Sequence, residues 1–453
     1  MKNVFGIIAS LMKIKAKTEL FAGLLIFILT CSIFILSHNR QIADSKYSML
    51  VSESLLHHGT FTLDRYGFED FGKQNAGGWG GIYQLELVDG HVYYSLPPGS
   101  SVLSVPWVAL MNAFGVSASS ADGAYNLRGE RIIQASLAAI LMAAFAGLVF
   151  VTSRLLLPLG WSVLLAFSVA LGTQVLSTAS RGLWSDTWGI LLVGFVVYIL
   201  LAQECGRRQI RPMLLATLLA WSYFVRPTNS LAVVAVTAYI FFFYRPLCIR
   251  YIVAGMAWLV AFIAYSWFHF GHALPSYFLA SRLDFHSFWI ALAGNLISPS
   301  RGLLIFVPVS IFVLYLLVRY ANELPSRRLV ILSLAIIVAH LIVISGFPQW
   351  WAGHCFGPRF TTGLAPWLAL LGILAIRARL AWREAHEIKR RSLRWHAEIA
   401  FGATLLLISV GINARGAMSG ATALWNQKPV NVDEHPERVW DWKHPQFLAT
   451  RRD

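Results

Sequence analysis

Apolar runs of roughly 17 to 25 residues, the length a helix needs to cross a bilayer, recur along this sequence and are separated by Arg clusters, Pro and Gly. About eleven can be marked out, at approximately 20–37, 131–153, 161–178, 183–203, 211–225, 228–244, 250–269, 303–320, 328–346, 361–378 and 397–414. A chain with 57% hydrophobic and only 13% charged residues lies far from a soluble globular composition. The expectation is an all-α polytopic membrane protein.

Orientation follows from the cation bias, because short cytoplasmic loops carry an excess of Lys and Arg. Lys2, Lys13, Lys15 and Lys17 precede the first span. Arg207, Arg208 and Arg211 follow the fourth, Arg245 and Arg250 the sixth, and Arg319, Arg327 and Arg328 the eighth. The segment "RARLAWREAHEIKRRSLRW" (377–395) is the strongest inside marker. The N-terminal segment 1–19 is therefore expected inside, a membrane domain at 20–414, and the tail 415–453 outside. The net charge of +15 is mostly this topology signal, since roughly half of the 37 Lys and Arg residues fall in short inner segments. No basic stripe with interleaved aromatics implies nucleic acid. The partners implied are membrane lipids, and the 17 Trp residues suit an interfacial belt.

The first span lacks a small-x-small cleavage site and is expected to stay as a helix. Ahead of it, "VFGIIASLMKIK" (4–15) reads equally as an interfacial helix or a plain tail. The four cysteines imply no disulfide framework.

Outer material is unevenly distributed, and the largest piece is the first outer loop, 38–130. "DSKYSMLVSESLLHHGTFTLD" (44–64) predicts a helix capped by Asp44 or Ser45, with an apolar face that could lie along the membrane, ending at Gly59. A Gly-rich stretch follows, "NAGGWGGIY" (75–83). Next comes a hairpin-like "LVDGHVYYS" (87–95) turning at Asp89-Gly90, then "LPPGSSVLSVPWVALMNAFG" (96–115), read as a surface or re-entrant helix. No internal repeat and no paired broken helices of the inverted-repeat kind are evident.

Ionisable residues gather at outer helix ends: Asp44, Glu53, Glu130, Arg181, Asp186, Arg226, Arg282, Asp284, Arg301, His354 and Arg359. Asp186, at the start of the fourth span in "STASRGLWSDTWGILL", is costly there without a partner; capping that span or pairing with Arg181 is the plainest role for it. "VRPTN" (225–229), "SPSRGLLIFVP" (298–308) and "WWAGHCFGPRF" (350–360) each set an Arg beside Pro or Gly at an outer boundary. Guanidinium forks suit phosphate oxygens, and Gly and Pro let backbone approach a ligand or fix a turn. Three Args and two acids on one face point to a site handling an anionic lipid and a proton.

The order of these features resembles bacterial members of the GT-C superfamily, integral membrane glycosyltransferases that use polyprenyl-phosphate sugars. The resemblance runs from "IADSKYSMLVSESLLHHGTFTLD" through "YYSLPPGSSVLSVPW", "SRGLWSDTWGILL", "RPTN", "SPSRGLLIFVPV" and "WWAGHCFGPRF" to "VDEHPERVWDW" (432–442). Relatives include lipid A aminoarabinose transferases, protein O-mannosyltransferases and arabinofuranosyltransferases. The resemblance implies a GT-C-like fold of about eleven transmembrane helices in a bacterial inner membrane. Its large first periplasmic loop carries interfacial helices. Asp44 matches the catalytic base, and Asp186 the second acid. The donor phosphate falls to Arg301 and Arg359, with Arg226 in reserve; His354, Arg181, Glu53 and Tyr94 are candidate substrate-binding residues. Many relatives carry Lys before the Pro-Pro-Gly element, where this chain has Ser95 and Leu96. The expected partners are a polyprenyl-phosphate sugar and a lipid, polysaccharide or protein acceptor. No cofactor is expected to be required, and a divalent metal stays an open question. A flippase for a lipid-linked sugar, or a glycan ligase using a pyrophosphate carrier, are the competing classes. A transporter places its ionisable residues near the midplane, whereas here they gather at one face.

Overall fold

In the computed structural model, which describes residues 2–68, 82–386 and 393–450, each of the eleven expected spans falls on a helix. The principal helices are α1 (Lys2–Leu36), α2 (Ser48–His58), α3 (Gly99–Ala113), α4 (Leu127–Ser153), α5 (Leu159–Leu171), α6 (Ser185–Glu204) and α7 (Pro212–Val225). They continue as α8 (Ser230–Phe243), α9 (Cys248–Phe270), α10 (Phe288–Ile297), α11 (Val309–Arg319), α12 (Arg327–Ile344), α13 (Ala365–Ala385) and α14 (Leu393–Met418). Among the described residues, seven helices are long and apolar enough to cross a membrane: Lys17–Leu36 within α1, and those at α4, α6, α9, α12, α13 and α14. The other four expected spans fall on α5, α7, α8 and α11, helices of 11 to 14 residues. One helix, α10, lies where only an outer loop was expected. The Gly-rich run at 75–81 and the basic residues 387–392 lie outside the described residues.

α1 lies along α4, α4 packs against α5 and α6, α6 against α7, and α13 against α6, α11 and α12. Side chains on the outside of this bundle are large and apolar, with Phe268, Val318 and Ile249 each at least 78% exposed. Such a surface is stable only against lipid or protein. The segment at 4–15 is part of the continuous helix α1, neither a separate interfacial helix nor a tail, because no Pro breaks the run.

The segment between α1 and α4 carries a two-stranded hairpin as well as α2 and α3. β1 (Leu85–Val88) and β2 (His91–Tyr94) pair antiparallel, Leu85 opposite Tyr94. Asp89 and Gly90, at φ 50° and 83°, form the turn expected from the sequence. α2 ends at Gly59, as expected, in the left-handed conformation.

Its start departs from expectation. Neither Asp44 nor Ser45 caps α2; Tyr47 precedes it at φ 74° with no side-chain cap. Glu130, fully buried at the start of α4, supplies the cap from another helix: Oε2 accepts from the Tyr47 N–H at 3.0 Å and Oε1 from the Met49 N–H at 3.1 Å. Gln134 Nε2 ties the same carboxylate to the Ser45 carbonyl, at 2.9 and 2.8 Å. The apolar face of α2 does not lie along a membrane; Met49, Leu50 and Val51 are buried in the protein, where α2 packs on α3. Relieved of capping, the Asp44 side chain is available for other partners.

Glu130→Ala strands two buried N–H groups beside a residue in an unfavourable φ region, a loss of about 1–3 kcal/mol per unpaired group. The melting temperature of the purified protein in detergent is expected to fall clearly for Glu130→Ala and less for Glu130→Gln, which keeps one acceptor.

Candidate active site

Two acids and two arginines from four distant parts of the chain converge beside the first loop. Asp44, eight residues past the end of α1, pairs through Oδ2 with Arg359 Nη2, on the segment leading into α13. Asp186, in the first turn of α6, pairs through Oδ2 with Arg226 Nη1, just past the end of α7. The pairs form one electrostatic unit, since Asp44 feels Arg226 and Asp186 feels both Arg359 and Asp44. The partner of Asp186 is thus Arg226, where the plainest sequence reading had Arg181.

Exposure separates the acids. The Asp44 side chain is 23% exposed and that of Asp186 0%, so only Asp44 can meet a molecule arriving from outside. Within the buried part, Asp186 Oδ1, Arg359 Nε and the Thr362 hydroxyl have no hydrogen-bond partner among the described residues. Arg359 Cζ lies 3.8 Å from the centre of the Trp184 ring, which fixes the plane of the guanidinium. Arg226 is steadied by Thr228 Oγ1 at 3.0 Å and Ser185 Oγ at 3.2 Å.

The hairpin supplies the other contacts to Asp44. The Tyr83 hydroxyl donates to Oδ1 at 2.7 Å, the Tyr94 hydroxyl to the Asp44 carbonyl at 2.6 Å, and Gln84 Nε2 to the Ala43 carbonyl at 3.0 Å. Ser95, next to the Pro-Pro-Gly element, donates to the Tyr83 carbonyl at 2.7 Å. That position thus braces the hairpin residue that holds Asp44.

Two glycines let the loops close up. A Cβ on Gly182 would stand 2.1 Å from the Gln41 carbonyl, where the Asp44 loop crosses the turn before α6; Gln41 N–H donates to the Arg181 carbonyl there at 3.0 Å. A Cβ on Gly99 would stand 2.6 Å from the backbone of Phe224, so the Pro-Pro-Gly element is wedged against the end of α7 that carries Arg226.

Four other expected site residues serve elsewhere. Arg301, 1% exposed, donates to the carbonyls of Trp351, Ser300 and Gly353, to Gln446 Oε1 and to Asn426 Oδ1. All three of its nitrogens are spent within the protein, and both terminal ones reach the C-terminal tail, at Gln446 and Asn426. Arg181 donates to the Phe34 and Ser37 carbonyls at the end of α1. Glu53, fully buried, accepts from Ser117 Oγ, the Ala118 N–H and Ser119 Oγ, tying α2 to the turn before α4. His354 meets Asn431 Oδ1 at 2.7 Å and Asp433 at 3.5 Å on the tail. The sequence reading passed over Tyr83, Gln84 and Trp184. Trp184 lies within the motif that flagged Asp186, but side-chain stacking across helices leaves no periodic signal. Among the described residues no group of three or more His, Cys, Asp or Glu stands together.

Burial pushes the Asp44 carboxyl up, but the charge and hydrogen bond of Arg359, the Tyr83 hydroxyl and the charge of Arg226 outweigh it and hold the group below the usual aspartate range. Asp44 is ionised at neutral pH. Tyr83 is pushed up by burial and by the Asp44 charge, so its hydroxyl remains a donor. A carboxyl lowered on folding contributes stability above its unfolded pKa of about 3.9 and loses it as pH falls through the folded value. In Arg359→Gln the charge and hydrogen bond that do most to offset burial are lost and the carboxyl rises. The acid midpoint of unfolding is expected to move to higher pH in that variant, and an unchanged midpoint would count against the pairing.

No protein-family model and no curated protein matches the sequence. Solved structures do. The apo oligosaccharyltransferase of Archaeoglobus fulgidus superposes with a TM-score of 0.51 at 12% identity, over 94% of this chain and 60% of that one. The same enzyme with an inhibitory peptide and a dolichol-phosphate gives 0.49 at 11% identity, covering 94% and 60%. ArnT from Cupriavidus metallidurans, bound to undecaprenyl phosphate, gives 0.46 at 10%, covering 89% and 71%. The chain spans about 60% of the length of the oligosaccharyltransferase it matches. At these identities the likeness is one of fold, and it rests on the apo enzyme: this chain has a helical fold like that of the matched part of the oligosaccharyltransferase.

Proposed function

We propose that this chain is an inverting glycosyltransferase that moves a sugar from a polyprenyl-phosphate carrier to a hydroxyl of a lipid, glycan or protein. It works at the outer face of a bacterial inner membrane, with the N-terminus in the cytoplasm and the C-terminal tail in the periplasm. The observation that carries this reading is the meeting of two acid–arginine pairs, Asp44 with Arg359 and Asp186 with Arg226, of which Asp44 is the acid open to the outside. The fold shared with the oligosaccharyltransferase supports it.

Asp44 takes the proton of the acceptor hydroxyl while the acceptor oxygen attacks the anomeric carbon. The bond from that carbon to the phosphate oxygen breaks, and its electron pair leaves with the phosphate. A sugar in this transition state is oxocarbenium-like, so a nearby carboxylate also stabilises it. Phosphate departs as a stable anion and needs no general acid. Its charge falls to Arg359 and Arg226. Asp186, sealed from solvent, acts through Arg226 as a positioning residue. A single displacement gives inversion. The account needs no divalent metal, because the cationic work is assigned to guanidiniums.

Incubation of the purified protein with a panel of polyprenyl-phosphate sugars and acceptors tests this. Product is expected from wild type, with a loss of about 10²- to 10⁴-fold for Asp44→Asn. Unchanged turnover in that variant, or movement of lipid without product, overturns the reading. Treatment with EDTA is expected to leave the rate unchanged; abolition by EDTA with rescue by a divalent ion would show that a metal shares the phosphate charge.

A further inference from the structure

We infer that the donor's phosphate and Asp44 compete for the same guanidinium, so that donor binding breaks the Asp44–Arg359 pair and thereby releases the base. This inference rests on the lipid-phosphate reading above and adds an order of events to it.

Four observations carry it. Both oxygens of Asp44 are engaged, Oδ2 by Arg359 and Oδ1 by Tyr83, so the acid is held in a poorly basic arrangement. Arg359 is buried, and its Nε–H, on the same edge of the guanidinium as Nη2, has no hydrogen-bond partner among the described residues, so that edge carries an unspent donor beside the one given to Asp44. Its stacking on Trp184 leaves the edge of the guanidinium as the only direction for hydrogen bonds. Asp186 Oδ1, also buried and without a hydrogen-bond partner among the described residues, lies within the electrostatic reach of Arg359. A cation flanked by one engaged acid and one with an open oxygen has somewhere to turn when Asp44 lets go. In the unliganded site the two acids and two arginines cancel, so a single negative charge enters only by taking a cation from one of them. Asp44 is the partner that yields, because Asp186 is sealed and Asp44 is not. Once Arg359 has turned to phosphate, Asp44 keeps Tyr83 and the more distant Arg226 as its favourable partners and gains basicity as the acceptor arrives.

The test measures binding, not turnover. The probe is a polyprenyl methyl phosphate, a diester with the donor's lipid and single negative charge but no sugar, titrated into the full-length protein in nanodiscs. Asp44→Asn is expected to bind the probe about tenfold more tightly than wild type, since the competitor for Arg359 is gone. Arg359→Gln binds it more weakly. In the Arg359→Gln background the gain from Asp44→Asn disappears. A gain that persists in that background is a general charge effect and overturns the inference, as does no gain at all. If Asp44→Asn does not fold, wild type answers alone: affinity for the diester rises as pH falls and Asp44 protonates. Arg359, Arg226, Tyr83, Tyr94 and Asp186 surround that group, and any rise surviving in Arg359→Gln belongs to Asp186 and Arg226. A flat wild-type profile overturns the inference. Absence of binding by wild type overturns it together with the proposed function, whereas binding and sugar transfer without the coupling removes this inference alone.

Discussion

A guanidinium cannot lose its charge in a protein, so one buried in an apolar bundle has to be answered by acceptors, and what answers it decides what it does. Four arginines at one end of this molecule are less than a tenth exposed: Arg181, Arg226, Arg301 and Arg359. Arg181 is answered by carbonyls at the end of α1, and Arg301 by carbonyls and two side-chain amides. Those are neutral partners, mostly backbone carbonyls, and the arginines act as struts. Arg226 and Arg359 are answered by Asp186 and Asp44. A carboxylate is an exchangeable partner, since an incoming anion can take its place.

Buried ion pairs of this sort add little net stability, although removing one member is costly. Their presence in an otherwise apolar bundle is therefore better explained by what they do than by what they hold together. Much of the surrounding structure serves to keep them in place. Glu130 caps α2 from another helix and so spares Asp44 that task. The hairpin brings Tyr83 and Tyr94 to the same acid, and the absent side chains of Gly182 and Gly99 let the Asp44 loop and the Pro-Pro-Gly element close on the turns that carry Asp186 and Arg226.

The helical fold was readable because bilayer thickness imposes a length on apolar runs, and every expected span falls on a helix. The Asp89-Gly90 turn was readable because few residue pairs accept two positive φ angles. The position of α2 was readable from its periodicity and Gly59, but its cap was not, since a cap borrowed from residue 130 has no local signature. The same limit explains the arginines. "SPSRG" and "GPRF" look alike in sequence, each an Arg beside small residues at a helix boundary. Only tertiary structure shows that Arg301 is consumed by Gln446 and Asn426 while Arg359 reaches Asp44, 315 residues away in the chain.

The account stands on where an anionic lipid headgroup lodges. The most direct measurement is an experimental structure of the protein with a polyprenyl phosphate bound. The account requires the phosphate oxygens within hydrogen-bond distance of Arg359 and Arg226, with the Asp44 carboxylate turned free of Arg359 and Arg301 still bound to the tail. A phosphate lodged elsewhere, with the Asp44–Arg359 pair intact, would contradict it.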